Sequence, residues 1–451
     1  LKSLSQRQAF FMLFCKGSID EGHKLKYNQN IIFRNEWEMF MRLFHLADLH
    51  LGKCIHGYSM IEMKDQIFWI DQILKKAEEL KPDAVLIAGD VYDRAVPSKE
   101  AVKLLDEFLT KLAEKKIPVL LIAGNHDSGS RLAFAEQLLC HQGIYIAGEV
   151  TKEIKRVTLY DEYGPVHFWL VPYLFPAAVQ VILGRDDIKD YDEAMRALLL
   201  QQKFDFAERN VLVSHQFVVA GAEKPAMGGS ETTIGGIGQI DAGVFKSFDY
   251  VALGHIHNAQ CMGSKNIRYA GSPLAYHFSE SGQKKGLTVV ELKEKGMLEV
   301  YVDEIPMLHK MCEISGTMEE LLEAEIEKNY YVRAVIKQEL LPPQAVELLR
   351  TYFETKECVL MEVVRDFSVI GKKYSETQRK DVQKLPLEEL FTEFYRHMHQ
   401  GELPEEKFAK LISYTAEQVR NNNDESEVER KEATRKLVEF AVNVKNEEEP
   451  V

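Results

Sequence analysis

Residues 41–53 read MRLFHLADLHLGK, and the fold is decided there. Leu43-Phe44-His45-Leu46-Ala47 is an apolar run of strand length that ends on Asp48-Leu49-His50, a polar tip rich in lone pairs. Further runs repeat the plan: Val85-Leu86-Ile87-Ala88-Gly89 leads into Asp90, and Leu120-Leu121-Ile122-Ala123-Gly124 into Asn125-His126-Asp127. Val211-Leu212-Val213-Ser214 leads into His215, and Val251-Ala252-Leu253-Gly254 into His255-Ile256-His257. Such runs, rich in Val, Ile and Leu, read as strands buried on both faces. Helical patterns separate the first three. Ile67, Ile70, Ile73, Leu74 and Ala77 keep a 3.6 period closed by Pro82; Val102, Leu105, Leu109, Leu112 and Ala113 do so between a Ser98 N-cap and Pro118. Strand and helix in alternation predict an α/β fold around a largely parallel sheet, with ligands gathered at the carboxyl ends of its strands.

The polar tips are metal-competent. Asp48, His50, Asp90, Asn125, His215, His255 and His257 supply carboxylate, amide and imidazole donors and no thiolate. Asp48 with His50, and His255 with His257, stand two residues apart, which in extended chain puts both side chains on one face. The Gly or Ser before Asp90, Asn125, His215 and His255 leaves room for tight turns beside a bound ion. Seven donors exceed one ion's needs and suit two divalent ions sharing a carboxylate, an arrangement that can clamp both oxygens of a phosphoryl substitution. The donor mixture suits Mn²⁺ or Fe²⁺, admits Zn²⁺ and disfavours calcium. A single Asp-x-His or Gly-Asp means little, and His45 and His167, among apolar neighbours, read as packed core histidines. The weight lies in the recurrence at separate strand ends.

Composition narrows the setting. Over 451 residues, 70 Asp and Glu outweigh 56 Lys and Arg for a net charge of −14, so bulk charge does not coat this chain onto nucleic acid or anionic membrane. A local metal site can still hold phosphates. The six cysteines (15, 54, 140, 261, 312 and 358) form no C-x-x-C pair, which fits a reducing cytoplasm. No apolar run reaches the length of a membrane span, and no G-x-x-x-x-G-K-[ST] loop offers an ATP site. Residues 1–40 precede the first patterned strand and read as an extension outside the fold, with Met41 as the working start. Residues 41–308 read as the main domain, 309–370 as a small α+β module, and 371–451 as a linker, a helix pair and a frayed acidic tail. In that tail Leu387, Leu390, Phe391, Phe394, Tyr395 and Met398 make one apolar stripe and Phe408, Leu411, Ile412, Thr415 and Val419 a second. Such stripes read equally as ordinary core.

The ordered set Asp48-x-His50, Gly89-Asp90-x-x-Asp93, Gly124-Asn125-His126-Asp127, His215 and Gly254-His255-x-His257 resembles the calcineurin-like metallophosphoesterase superfamily. MRLFHLADLHLGK (41–53), AGDVYDRAVPS (88–98), AGNHDS (123–128) and YAGSPLAYHFSE (269–280) resemble its SbcD-like nuclease branch. The resemblance implies a β-sandwich flanked by helices, with a small α+β capping domain that sets DNA specificity and a helical C-terminal tail. It implies two divalent ions, Mn²⁺ first and Mg²⁺ as the alternative: Asp48, His50, Asp90 and His257 on one, Asn125, His215 and His255 on the other, and Asp90 bridging. His126 faces the substrate as the catalytic group, oriented by Asp93. It further implies a DNA exonuclease and endonuclease of repair, recombination and replication, a homodimer within a heterotetramer with an SbcC-like coiled-coil ATPase, the tail stripes gripping that partner. Arg94, Arg131, His56, Tyr58 and Ser128 are candidate DNA contacts. Arg94 gives GDVYDR the look of the protein-phosphatase variant, although Ala95 stands where that variant has Gly. The alternative on the same centre is a phosphomonoesterase or cyclic-nucleotide phosphodiesterase.

Overall fold

A strand with apolar side chains on both faces must be covered twice, and the computed structural model of the chain shows how. It describes residues 40–229, 238–338, 341–342 and 344–366, with Thr392, Tyr395, Arg396 and Leu403 besides. Residues 1–39 and the stripe residues Leu387, Leu390, Phe391, Phe394, Phe408 and Leu411 lie outside the described residues. One sheet takes β1 (Met41–Leu46), β2 (Ala84–Ala88), β3 (Val119–Ile122) and β4 (Ile144–Ala147). The next takes β5 (Lys155–Asp161), β6 (Gly164–Val171), β7 (Arg209–His215), β8 (Tyr250–Gly254), β9 (Gln260–Met262) and β10 (Ser264–Tyr269). β11 (Gly286–Leu292) and β12 (Leu298–Glu304) then return to the first.

The two six-stranded sheets have the orders β12-β11-β1-β2-β3-β4 and β9-β10-β8-β7-β6-β5. β1 to β4 run parallel, as do β6, β7, β8 and β10, while β11 lies antiparallel on β1. The strand-end pattern left the number of sheets open; the β-sandwich that the resemblance implied is what forms, and the five polar tips come from two sheets. Periodicity could not distinguish one sheet from two, since a strand buried on both faces looks alike in either.

The sheets pack face to face. Leu43, Leu86, Leu120 and Ile122 meet Phe168, Val211, Val213 and Tyr250 in the sandwich interior. The alternate residues Phe44, Val85, Ile87 and Leu121 face outward onto α1 (Asp65–Leu80) and α2 (Lys99–Glu114), which present Trp69, Ile73, Leu105 and Phe108. Trp169, Leu212, Val251 and Leu253 are covered by Ala194, Met195 and Leu198 of α3 (Tyr191–Leu200). The fold is therefore a mixed α/β sandwich with helices on its outer faces. His45 is fully buried against the Tyr250 hydroxyl, 2.9 Å away, and His167 bonds Thr158 and Glu208, so both are structural. Ser98 caps α2 by accepting from the Ala101 amide at 3.2 Å. Val102 and Ile67 leave the expected stripes for solvent, 45% and 39% exposed, and Leu104, Phe108 and Trp69 face inward instead.

The chain divides into two compact units: Leu1–Ile314 with Leu322–Ala334 and Val346–Val363, and Ser315–Leu321 with Val335–Ala345 and Val364–Val451. A three-stranded sheet of order β13-β14-β15 uses β13 (Lys310–Gly316), β14 (Tyr330–Ile336) and β15 (Val359–Arg365), joined by α4 (Ala345–Thr355). Within the first unit Met311, Tyr331 and Met361 enter the core beneath α1. The fully enclosed Asp65 at the start of α1 accepts from the Tyr331 hydroxyl and lies 3.0 Å from His309 Nδ1. Among the described residues no helix is long and apolar enough to cross a membrane.

Candidate metal centre

The tips of β1, β2 and β3 are tied together before any side chain reaches inward. The amides of Asp48 and His50 donate to Gly89 O at 3.1 Å and Asp90 O at 2.9 Å. From α1, Gln66 Nε2 donates to His50 O at 2.8 Å while its Oε1 accepts from Gly52 N at 3.0 Å. Asp127 accepts from Val91 N, Tyr92 N and Gly124 N at 2.9–3.0 Å and so pins the β2 tip to the β3 tip. Asp48, His50, Asp90 and His255 all adopt positive φ, at 53°, 42°, 47° and 97°. Left-handed backbone costs a residue with a Cβ on the order of 1 kcal/mol, and its concentration at one spot marks a functional site. A Cβ at Gly124 would lie 2.1 Å from Asp90 Oδ1, and one at Gly254 would lie 2.0 Å from Ala88 O, so neither can carry a side chain.

The donors converge around Asp90. Its Oδ2 lies 3.2 Å from His215 Nε2 and 3.7 Å from His50 Nε2. On one side His50 Nε2 and His257 Nε2 stand 3.2 Å apart. On the other, Asn125 Oδ1 lies 3.1 Å from His215 Nε2 and 3.0 Å from His255 Nδ1. Among the described residues, three groups have donor atoms close enough to share an ion: Asp48–His50–His257, Asp48–Asp90–His215 and His50–Asp90–His126. All seven expected donors thus meet at one place, with His126 beside them.

Side chains fit cations here. His215 Nδ1 lies 2.8 Å from Ala88 O; a carbonyl only accepts, so Nδ1 carries a proton and Nε2 is the nitrogen turned toward Asp90. Asp48 Oδ1 accepts from the His255 amide at 2.9 Å, whereas its buried Oδ2 has no hydrogen-bond partner. An orphaned buried carboxylate oxygen among imidazole lone pairs calls for a cation. Burial pushes the Asp48 carboxyl above the usual range and the His50 imidazole below its own. Burial opposes both charges of the Asp90–His215 pair, yet their attraction wins, holding Asp90 well below the carboxylate range and raising His215 to about 9.

Asp93 is placed differently from the expectation. His126 Nδ1 lies 3.0 Å from the backbone carbonyl of Asp93, not from its carboxylate. That carboxylate instead stands 2.7 Å from Lys53 Nζ and 3.5 Å from His50 Nδ1. Burial raises its pKa, but His50 and Lys53 outweigh burial and hold it at about 2. The i+3 spacing after Asp90 placed the residue correctly and could not say which of its oxygens would face His126. Sequence reasoning gave no role to Glu280, although the segment 269–280 ends on it. It is fully buried, 3.4 Å from His257 Nδ1 and 2.8 Å from Lys285 Nζ, and His257 and Lys285 hold it at about 2 against burial.

The candidate DNA contacts scatter. Arg94 is 79% exposed, and its Nε lies 3.8 Å from Asp93 Oδ2. Arg131 donates to Ala95 O at 3.2 Å, and Ser128 precedes the short helical turn Gly129–Leu132. His56 and Tyr58 reach β15 instead, where His56 Nε2 lies 3.6 Å from Glu362 and the Tyr58 hydroxyl donates to Leu360 O at 3.4 Å.

Residues 41–259 match the family of calcineurin-like phosphoesterases, and residues 307–399 match the family described as the Type 5 capsule protein repressor C-terminal domain. The chain is 29% identical over 388 residues to the SbcD component of the SbcCD nuclease of Staphylococcus epidermidis, covering 83% of this chain and 98% of that protein. A solved structure, that of TT1561 of Thermus thermophilus, aligns with 58% of this chain and 99% of its own at 13% identity and a TM-score of 0.32. Two family matches in series, the first spanning every donor of the centre, and a relative aligned over most of its length make this chain similar to the SbcD-like calcineurin-like phosphoesterases.

Proposed function

We propose that the chain is the nuclease subunit of a DNA-processing complex and hydrolyses phosphodiester bonds at the Asp90-centred site. One observation carries the reading: Asp90 belongs to two groups of metal-competent donors, and His126, a member of one of them, is held by Nδ1 on the Asp93 carbonyl. The nearly full-length alignment with a nuclease component supports DNA as substrate. In this reading Asp48, His50, Asp90 and His257 hold one divalent ion, Asp90, Asn125, His215 and His255 the other, and Mn²⁺ is the ion used. When bound, such a pair supplies Lewis acidity to the scissile phosphate and lowers the pKa of a water. The chain's own part is orientation and proton transfer. His126 donates Nδ1–H to the Asp93 carbonyl; with the ring carrying both protons, Nε2 gives its proton to the departing oxygen and the imidazole is left neutral.

Residues 309–370 act as the capping domain that selects the DNA end, and residues beyond 371 bind an SbcC-like coiled-coil ATPase in a cytoplasmic heterotetramer containing two copies of this chain. ATP-driven exonuclease on duplex ends and nicking of single strands and hairpins are the activities expected. The test is Mn²⁺-dependent cleavage of linear duplex DNA, a DNA hairpin and p-nitrophenyl phosphate, each with and without the ATPase. Turnover of p-nitrophenyl phosphate with neither DNA cut would replace this reading with a phosphomonoesterase.

A further inference from the structure

Two carboxylates that belong to none of the donor groups stand behind two of the histidines, and each is fastened by a lysine. Lys53 Nζ sits 2.7 Å from Asp93 Oδ1, which lies 3.5 Å from His50 Nδ1, a charge contact without a formed hydrogen bond. Lys285 Nζ sits 2.8 Å from Glu280 Oε2, and Glu280 Oε1 lies 3.4 Å from His257 Nδ1. Both relays end at one place, because His50 Nε2 and His257 Nε2 are 3.2 Å apart. Lys285 also donates to His257 O at 2.9 Å and Ser272 Oγ at 2.8 Å, so ammonium, carboxylate and imidazole are fixed as one unit.

Burial makes that unit informative. The Glu280 and Lys285 side chains are 0% and 3% exposed, and desolvating such a pair carries a cost that apolar packing would not. What the pair gives is a fixed ring and a more basic Nε2, the effect of a carboxylate behind a ligating imidazole. In the other half His215 Nδ1 rests on the neutral carbonyl of Ala88, which orients a ring with less electronic push.

The geometry points to an unequal pair of cation sites, in which Glu280–Lys285 and Asp93–Lys53 are positioning residues that make the Asp48–His50–His257 half the tighter one, filled first and emptied last. The inference rests on the two-ion reading of the centre. Its test titrates the full-length, metal-stripped chain with Mn²⁺, by calorimetry and by the electron paramagnetic resonance signal of the bound ion. The unaltered chain should show two unequal events, with an isolated-ion spectrum before a coupled one. Glu280→Gln keeps the shape and removes the charge; it should weaken the tighter event by about 10–100-fold and leave the weaker one in place. Glu280→Asp should restore part of the loss. Asp93→Asn, at the less enclosed relay, should act in the same direction and decides the matter alone should Glu280→Gln lose its cooperative melt. Two equal events in the unaltered chain, or both events weakened alike in the variants, would overturn the inference. An unaltered chain that binds no Mn²⁺ would overturn the two-ion reading instead.

Discussion

At the scale of single residues, Asp90 and His126 separate two kinds of contribution. Asp90 Oδ2 faces His215 and His50 while its Oδ1 accepts from the His126 amide at 2.9 Å, so one carboxylate joins both halves and the loop carrying His126. Asp90→Ala should empty both sites and abolish cleavage with the fold retained. Metal analysis after gel filtration checks this, and near-normal Mn²⁺ content would remove Asp90 from the bridging position. In the proposed reading His126 offers the reaction a proton rather than the ion a ligand. His126→Gln should keep both ions and DNA binding yet lose about 10²–10⁴-fold in single-turnover rate. A metal-depleted His126→Gln chain would place that ring among the ligands, which its proximity to His50 and Asp90 makes a real alternative.

At the scale of elements, what the sequence revealed and what it concealed have one cause. Strand runs ending in a small residue and a polar tip showed where donors emerge, because local backbone needs are written locally. At Gly124 any side chain would strike Asp90, and the sequence shows Gly there. Which strands pair was not legible, since Phe44 and Leu43 are equally apolar although one faces helices and the other the opposite sheet. Glu280 was illegible for a related reason: its partner His257 lies 23 positions away, across β9 and β10. Phe168 of β6 fills the sandwich interior and is fully buried. Phe168→Ala should therefore cost about 3–5 kcal/mol, read as a lower denaturation midpoint with an unchanged denaturant slope. Tyr331→Phe removes one donor from buried Asp65 at the start of α1 and should cost about 1.5–3 kcal/mol. A stability equal to that of the unaltered chain would show that His309 satisfies Asp65 alone.

At the scale of the whole molecule, a net charge of −14 has to be reconciled with DNA as substrate. A chain of that charge does not draw in DNA by bulk attraction, so in the proposed reading the grip comes from ions at the rim and from a partner. The metal centre is built wholly from residues 48–257, and the backing carboxylate–lysine pairs end at Lys285. Among the described residues, the groups of that construction end at Lys285, and beyond Gly371 the sequence shows two apolar stripes after a polar stretch that includes Lys372, Lys373, Arg379 and Lys380. A short helix pair of that pattern has too little core to stand unaided, and an apolar face on a helix is what a groove on another protein receives. Ending the chain at Gly371 should therefore leave Mn²⁺ content and ATP-independent nicking of single strands unchanged. It should abolish co-purification with the ATPase and the ATP-stimulated exonuclease. Phe391→Glu with Phe394→Glu should reproduce the second pair of losses without the deletion. Retention of the partner on a pull-down by both forms would return these stripes to the chain's own core, and loss of Mn²⁺ on shortening would show that the centre depends on residues beyond Gly371.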